Sequence, residues 1–142
     1  MKKSPNSIKS GDIFKLGEHT IACGDSRDIP FVQIVVGKRK IKAVITDPPY
    51  GVAVTESKRN FQALKKDKVI ANDQIQSDAE YITFTSQWLG AVLPHLEKKN
   101  ALYIFNSDKM FFALREGMMR VHCKFAQLIV WVKTQAVVGR MD

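Results

Sequence analysis

Ile41-Lys42-Ala43-Val44-Ile45-Thr46 runs directly into Asp47-Pro48-Pro49-Tyr50-Gly51. The first six residues are almost wholly apolar and largely β-branched, the composition of a strand buried on both faces in a parallel sheet. Two prolines then stop it, because each lacks an amide donor and restricts the residue before it. The result is a loop at the C-terminal end of a strand, where open α/β sheets bind their ligands. The prolines also stiffen that loop, so an acid, Asp47, and an aromatic, Tyr50, are held at a fixed separation at the mouth of the sheet. A chance match to all four residues of Asp47-Pro48-Pro49-Tyr50 is expected in about one in a thousand chains of this length.

Upstream, residues 1–11 are polar and lysine-rich and are expected to form a frayed leader. Asp12 to Leu16 and His19 to Cys23 flank a Gly17-Glu18 turn, which predicts a β-hairpin whose second strand ends at Gly24-Asp25. Ser26 is placed to cap a short helix through Phe31, Ile34, Val35 and Val36 that stops at Gly37. Downstream, Val52 to Asn72 is polar and without periodicity. Its Lys58, Arg59, Lys65, Lys66 and Lys68, set against Glu56 and Asp67, predict a basic loop. Asn72-Asp73 either caps the next helix or takes part in the site. Ile82, Leu89, Val92, Leu93 and Leu96 recur at helical spacing after Ser77-Asp78-Ala79-Glu80, predicting a helix from Ser77 to Lys98 with Pro94 kinking its last turn. Ala101 to Phe105 reads as a second buried strand, Asp108 to Met118 as a helix, and Lys124 to Val132 as a third strand. This alternation predicts an α/β fold with an open, mostly parallel sheet and an N-terminal β-hairpin.

The chain has 142 residues with 22 Lys and Arg against 14 Asp and Glu, a net charge of +8, which favours a polyanionic partner with nucleic acid foremost. No long apolar run or signal sequence is present, so no membrane contact is expected and the protein reads as cytoplasmic. Cys23 and Cys123 lie far apart in sequence and read as small buried hydrophobes rather than a disulfide. His19, His95 and His122 have no second ligand at metal spacing, so no metal site is expected. Trp88, Phe111, Phe112 and Trp131 fit core positions.

Several segments together resemble a known family. Leu16-Gly17-Glu18-His19 leading to Cys23-Gly24-Asp25-Ser26, then Thr46-Asp47-Pro48-Pro49-Tyr50-Gly51-Val52, Ile70 with Asn72-Asp73, and Trp131-Val132-Lys133 with Gly139-Arg140 look like the amino-methyltransferases of nucleic-acid bases. The likeness is closest to bacterial and phage DNA adenine methylases of the β arrangement. It implies a Rossmann-like methyltransferase domain, S-adenosylmethionine as cofactor and double-stranded DNA as partner. In that family's pattern, the Asp47 carboxylate and the Pro48 carbonyl accept the two hydrogens of an adenine N6 amine. Pro49 completes the motif and Tyr50 stacks on the flipped base. Asp25 falls near the cofactor adenine, with Asp47 also on the cofactor side, and the basic loop approaches phosphates.

No Phe-x-Gly-x-Gly occurs among the eight glycines, so residues 12–142 read as the N-terminal part of such a domain, without its glycine-loop half. Apolar surface left uncovered in this way is expected to favour self-association. Asp in the first motif position points to adenine, where cytosine-N4 enzymes more often carry Ser. RNA or protein amide methylation shares the motif, and a catalytically silent nucleic-acid-binding remnant is the alternative from another class.

Overall fold

The computed structural model describes residues 7–51 and 74–132. The hairpin forms as the sequence predicts: β1 (Ile13–Leu16) pairs antiparallel with β2 (His19–Ala22), Ile13 opposite Ala22 and Leu16 opposite His19. Helix α1 (Ile29–Val36) starts later than the Ser26 reading. Asp28 is its cap, accepting the Phe31 N–H at 3.1 Å, because Pro30 belongs in the first turn, where a missing amide costs nothing. Gly24 lies against the Phe31 ring, which leaves no room for a Cβ at that position.

Strand β3 spans Ile41–Thr46, as its composition predicts, but it is not buried on both faces: Lys42, Ala43 and Ile45 are exposed, because the described residues cover only one side of the pair. Helix α2 (Asp78–Val92) begins at a capping box in which the Ser77 backbone N–H donates to Glu80 at 2.8 Å and the Glu80 N–H returns to the Ser77 hydroxyl at 3.4 Å. Its far end departs from expectation. Pro94 does not kink a helix running to Lys98, but ends it. With no amide to continue the ladder, the chain closes into a short 3-10 turn over Leu93–His95. Strand β4 (Leu96–Ile104) starts at once and runs parallel to β3, with Ala43 beside Ala101 and Thr46 beside Ile104. Helix α3 (Phe111–Arg120) follows.

Residues 124–132, expected as a third strand, form no strand. Among the described residues they pair with no strand, and an apolar run alone does not make a ladder. Phe125 instead lies 5.8 Å from Phe111 and Trp131 lies 6.2 Å from Phe105, ring to ring. The architecture is therefore mixed α/β with two two-stranded sheets, one an antiparallel hairpin and one a parallel pair.

The core lies between α2 and α3, where Tyr81, Phe84, Trp88, Leu89, Met110, Ala113 and Leu114 are buried. Leu102 and Ile104 of β4 pack against it. The intervening residues face the other way, so Ile45 and Tyr103, neighbours across the strands, are 74% and 51% exposed. One face of the parallel pair is thus uncovered by the described residues. Three smaller expectations are corrected by the same geometry. Cys23 is exposed rather than buried, because it sits just past a short, solvated hairpin strand. Phe112 and Trp131 are 76% and 73% exposed rather than core. Phe112 falls on the solvent face of α3, and Trp131 on a segment without a sheet to cover it. No described helix is long and apolar enough to cross a membrane.

Candidate active site

The parallel ladder continues one step past β3, since the Phe105 N–H donates to the Thr46 carbonyl at 2.9 Å. This carries the ends of β3 and β4 to the same side and presents Asp47-Pro48-Pro49-Tyr50 there as a rigid turn. Asp47 is exposed while Pro48, Pro49 and Tyr50 are half-buried. The Tyr50 hydroxyl donates to Asp47 Oδ1, so acid and aromatic meet within the tetrapeptide. Gly51 then reverses the chain at φ +66°, a conformation L side chains rarely adopt. Its carbonyl accepts the Gln76 N–H at 3.0 Å, which ties the start of α2 to the loop.

One turn into α2, Tyr81 is fully buried and donates its hydroxyl to Asn106 Oδ1 at 3.1 Å, just past the end of β4. The electrostatics follow. Burial first, then the hydrogen bond to Asp47 and its negative charge, push the Tyr50 hydroxyl up to about 12. Tyr81 is also raised, by burial first and then by the electrostatic influence of Tyr50 and Asp47. Both phenols are therefore neutral donors at physiological pH.

Beside the loop lies a cleft of about 340 Å³ lined by Ser26, Asp47, Pro48, Pro49, Phe84 and Trp88 among others. A shallower cleft of about 420 Å³ shares Phe84 and is bounded by Arg27, Glu80 and Gln87. Asp25 stands near both but is engaged. Arg27 grips it with Nη2 to Oδ2 at 2.6 Å and Nε to Oδ1 at 3.0 Å, and the Arg27 backbone N–H adds 2.9 Å to Oδ1. Those hydrogen bonds hold the Asp25 carboxyl below its usual range. The guanidinium also lies 5.5 Å over the Phe84 ring.

Of the residues singled out in the sequence, the structure brings Asp47, Pro48 and Pro49 to one cleft, with Tyr50 bonded to Asp47. Asp25 does not line that cleft, although its neighbour Ser26 does. Lys58, Arg59, Lys65, Lys66, Lys68 and Asn72-Asp73 lie outside the described residues. Sequence reasoning missed Arg27, Tyr81 and Asn106. Arg27 was the most accessible of them, two residues from a candidate acid. Tyr81 reads as an ordinary core aromatic and Asn106 as a turn residue, and their pairing across 25 positions leaves no local mark.

The model of the DNA methylase family, whose members modify N6 or N4 amines, matches residues 41–141. The chain belongs to the N6/N4 DNA methylase family. It is also similar to the Type II methyltransferase M1.MboII of Moraxella bovis, 26% identical over 115 residues. That match takes in 81% of the chain but 36% of the relative, so the methylase chain spans about a third of the length of the curated relative it matches. No solved structure matches it. The family match begins at the first residue of β3 and takes in Asp47-Pro48-Pro49-Tyr50.

Proposed function

We propose that this methylase chain is the N-terminal, amine-accepting part, residues 12–142, of a Rossmann-like DNA methyltransferase that modifies adenine N6 using S-adenosylmethionine. The observation that carries this reading is the exposed Asp47 carboxylate, fixed by two prolines at the end of a parallel strand and opening on a cleft walled by Phe84 and Trp88. A base amine is a poor nucleophile because its lone pair is delocalised into the ring. Acceptors fixed in advance of the reaction favour the pyramidal nitrogen that reacts. Asp47 and the Pro48 carbonyl are two such acceptors on one rigid turn. A carboxylate offers about four lone-pair sites, so the Tyr50 hydroxyl on Oδ1 orients Asp47 and leaves Oδ2 for the amine. The same carboxylate is placed to take the proton the amine sheds once methylated. Tyr50, only half-buried, supplies an aromatic face for a flipped base.

A carboxylate with two aromatic walls suits a sulfonium cation and a purine, so S-adenosylmethionine fits the chemistry of the cleft. When bound it supplies an electrophilic methyl group. Asp47 would face that group and Ser26 would line its flank, with Asp25 reaching it only by releasing Arg27. Lys58, Arg59, Lys65, Lys66 and Lys68 would hold the phosphates of double-stranded DNA. A cytoplasmic location accords with that substrate.

Cytosine N4 fits the family too, and Asp at the head of the motif is what favours adenine. The test is nucleoside analysis by mass spectrometry of duplex DNA, treated with the chain joined to a glycine-loop half and S-adenosylmethionine. N6-methyladenine is expected. N4-methylcytosine would replace the adenine assignment, and no methylated base would leave a silent nucleic-acid-binding remnant.

A further inference from the structure

We propose that Tyr81 and Asn106, neither of them in the motif, are positioning residues that hold the Asp47–Tyr50 pair in the arrangement a base amine meets. Packing alone does not account for either polar group. Phe84, one turn along α2, stacks on Tyr81 at 6.0 Å between centroids and fills the same core with no hydroxyl. A buried hydroxyl is costly unless paired, and Tyr81 finds its pair in Asn106 Oδ1 at 3.1 Å. The other half of that amide is more telling. Asn106 Nδ2 is closed off from solvent and has no hydrogen-bond partner among the described residues. An unspent buried donor of this kind calls for a reason.

Its place supplies one. Thr46 lies beside Ile104, and Phe105 bonds to Thr46, so Asn106 comes to the level of Pro48 at the shared end of the two strands. Tyr81 reaches the same place from α2, which is anchored to Gly51 through the Gln76 N–H. Burial first, and then the electrostatic influence of Tyr50 and Asp47, raise the Tyr81 hydroxyl, in keeping with that shared strand end. Two polar side chains from separate elements thus converge beneath the tetrapeptide. They act through Asp47 and Tyr50, fixing where the carboxylate and hydroxyl sit. Their consequence for catalysis rests on the reading of Asp47 as an amine acceptor, whereas the coupling itself does not.

The experiment uses the chain with tyrosine labelled at Cζ with ¹³C, observed by NMR at neutral pH, in Tyr81→Phe and Asn106→Ala, with Tyr50→Phe to assign the Tyr50 resonance. That resonance reports the hydroxyl bond to Asp47. Both variants are expected to move it towards its position in Asp47→Ala. Should Tyr81→Phe fail to fold, half-buried Asn106 decides alone. A Tyr50 resonance unmoved in the folded variants overturns the proposal. Methyl transfer by the chain joined to a glycine-loop half is the second readout. Either variant is expected to lower kcat by about tenfold to a hundredfold with KM for DNA unchanged. Wild-type rates in both variants overturn the positioning role. A shifted resonance with no methylation even by the wild type instead sinks the amine-acceptor reading and leaves the coupling standing.

Discussion

Helix α3 crosses α2 where Gly117 meets Thr85, and replacing that glycine by alanine should have the opposite effect to the same change at Gly90. Alanine is the better helix former by about 1 kcal/mol, because glycine loses more backbone freedom on folding. Gly90 is exposed on α2 with nothing within 4 Å of a built Cβ, so Gly90→Ala should stabilise by about 0.5–1 kcal/mol. At Gly117 a Cβ would stand 2.6 Å from Thr85 Cβ, 2.8 Å from its Cγ2 and 2.9 Å from the Ile82 carbonyl oxygen. Two of those three atoms are fixed to the α2 backbone, so no rotamer change relieves the contact. Overpacking costs about 1–3 kcal/mol, which offsets the propensity gain and leaves a net loss of up to about 2 kcal/mol. For a 142-residue chain, each kcal/mol moves Tm by about 3–4 °C. Thermal melts followed by circular dichroism should therefore rise by roughly 2–4 °C for Gly90→Ala and fall by up to about 8 °C for Gly117→Ala. Thr85→Ala should not rescue the latter, since the nearest atom is the Cβ that alanine keeps. A Gly117→Ala protein that melts above the wild type would refute this account of how the helices meet.

The other expectations are smaller in scale. Ser77→Ala removes the hydroxyl of the capping box and should cost about 1 kcal/mol in urea unfolding, with an unchanged m-value. Asp25 titrates below its ordinary value of 3.8 when folded, so its contribution to stability is present above that pH and is lost as pH falls through the lower folded value. Both partners are partly exposed, so the effect is modest and salt-screened. Melts between pH 5 and pH 2.5 should lose part of their acid slope in Arg27→Met, and a slope indifferent to that change would remove the pair from the account. Exposed Ile45 and Tyr103 on the bare face of β3 and β4 should drive self-association, visible as concentration-dependent sedimentation that Ile45→Lys reduces. A wild-type chain monomeric at every concentration would contradict it.

What was legible in the sequence was local. Ile41 to Thr46 matches its strand because a short β-branched run stopped by two prolines favours extended backbone, and Ser77 with Glu80 marks the start of α2 because both halves of a capping box lie within four residues. Between Ser26 and Asp28 the cap is ambiguous by residue type, and Pro30 is the deciding signal. Pro94 is a stronger stop than the apolar spacing around it suggests: it ends a helix that spacing alone carries to Lys98. Lys124 to Val132 has the composition of a strand, yet strand formation requires pairing with a partner edge, and composition alone does not encode that pairing. The tetrapeptide at the site can be read directly, whereas the groups beneath it cannot. Tyr81 and Asn106 are brought together only by α2 packing on the parallel pair, and the Arg27 grip on Asp25 becomes visible only with the side chains in place.

The central claim is that Asp47 accepts the hydrogen of a base amine. It is tested most directly by Asp47→Ala in the chain joined to a glycine-loop half, following methyl transfer from labelled S-adenosylmethionine to duplex DNA while binding of the same DNA is measured in parallel. The account predicts a rate reduced by at least about a hundredfold with DNA binding nearly unchanged. Methyl transfer by Asp47→Ala at the wild-type rate would contradict it.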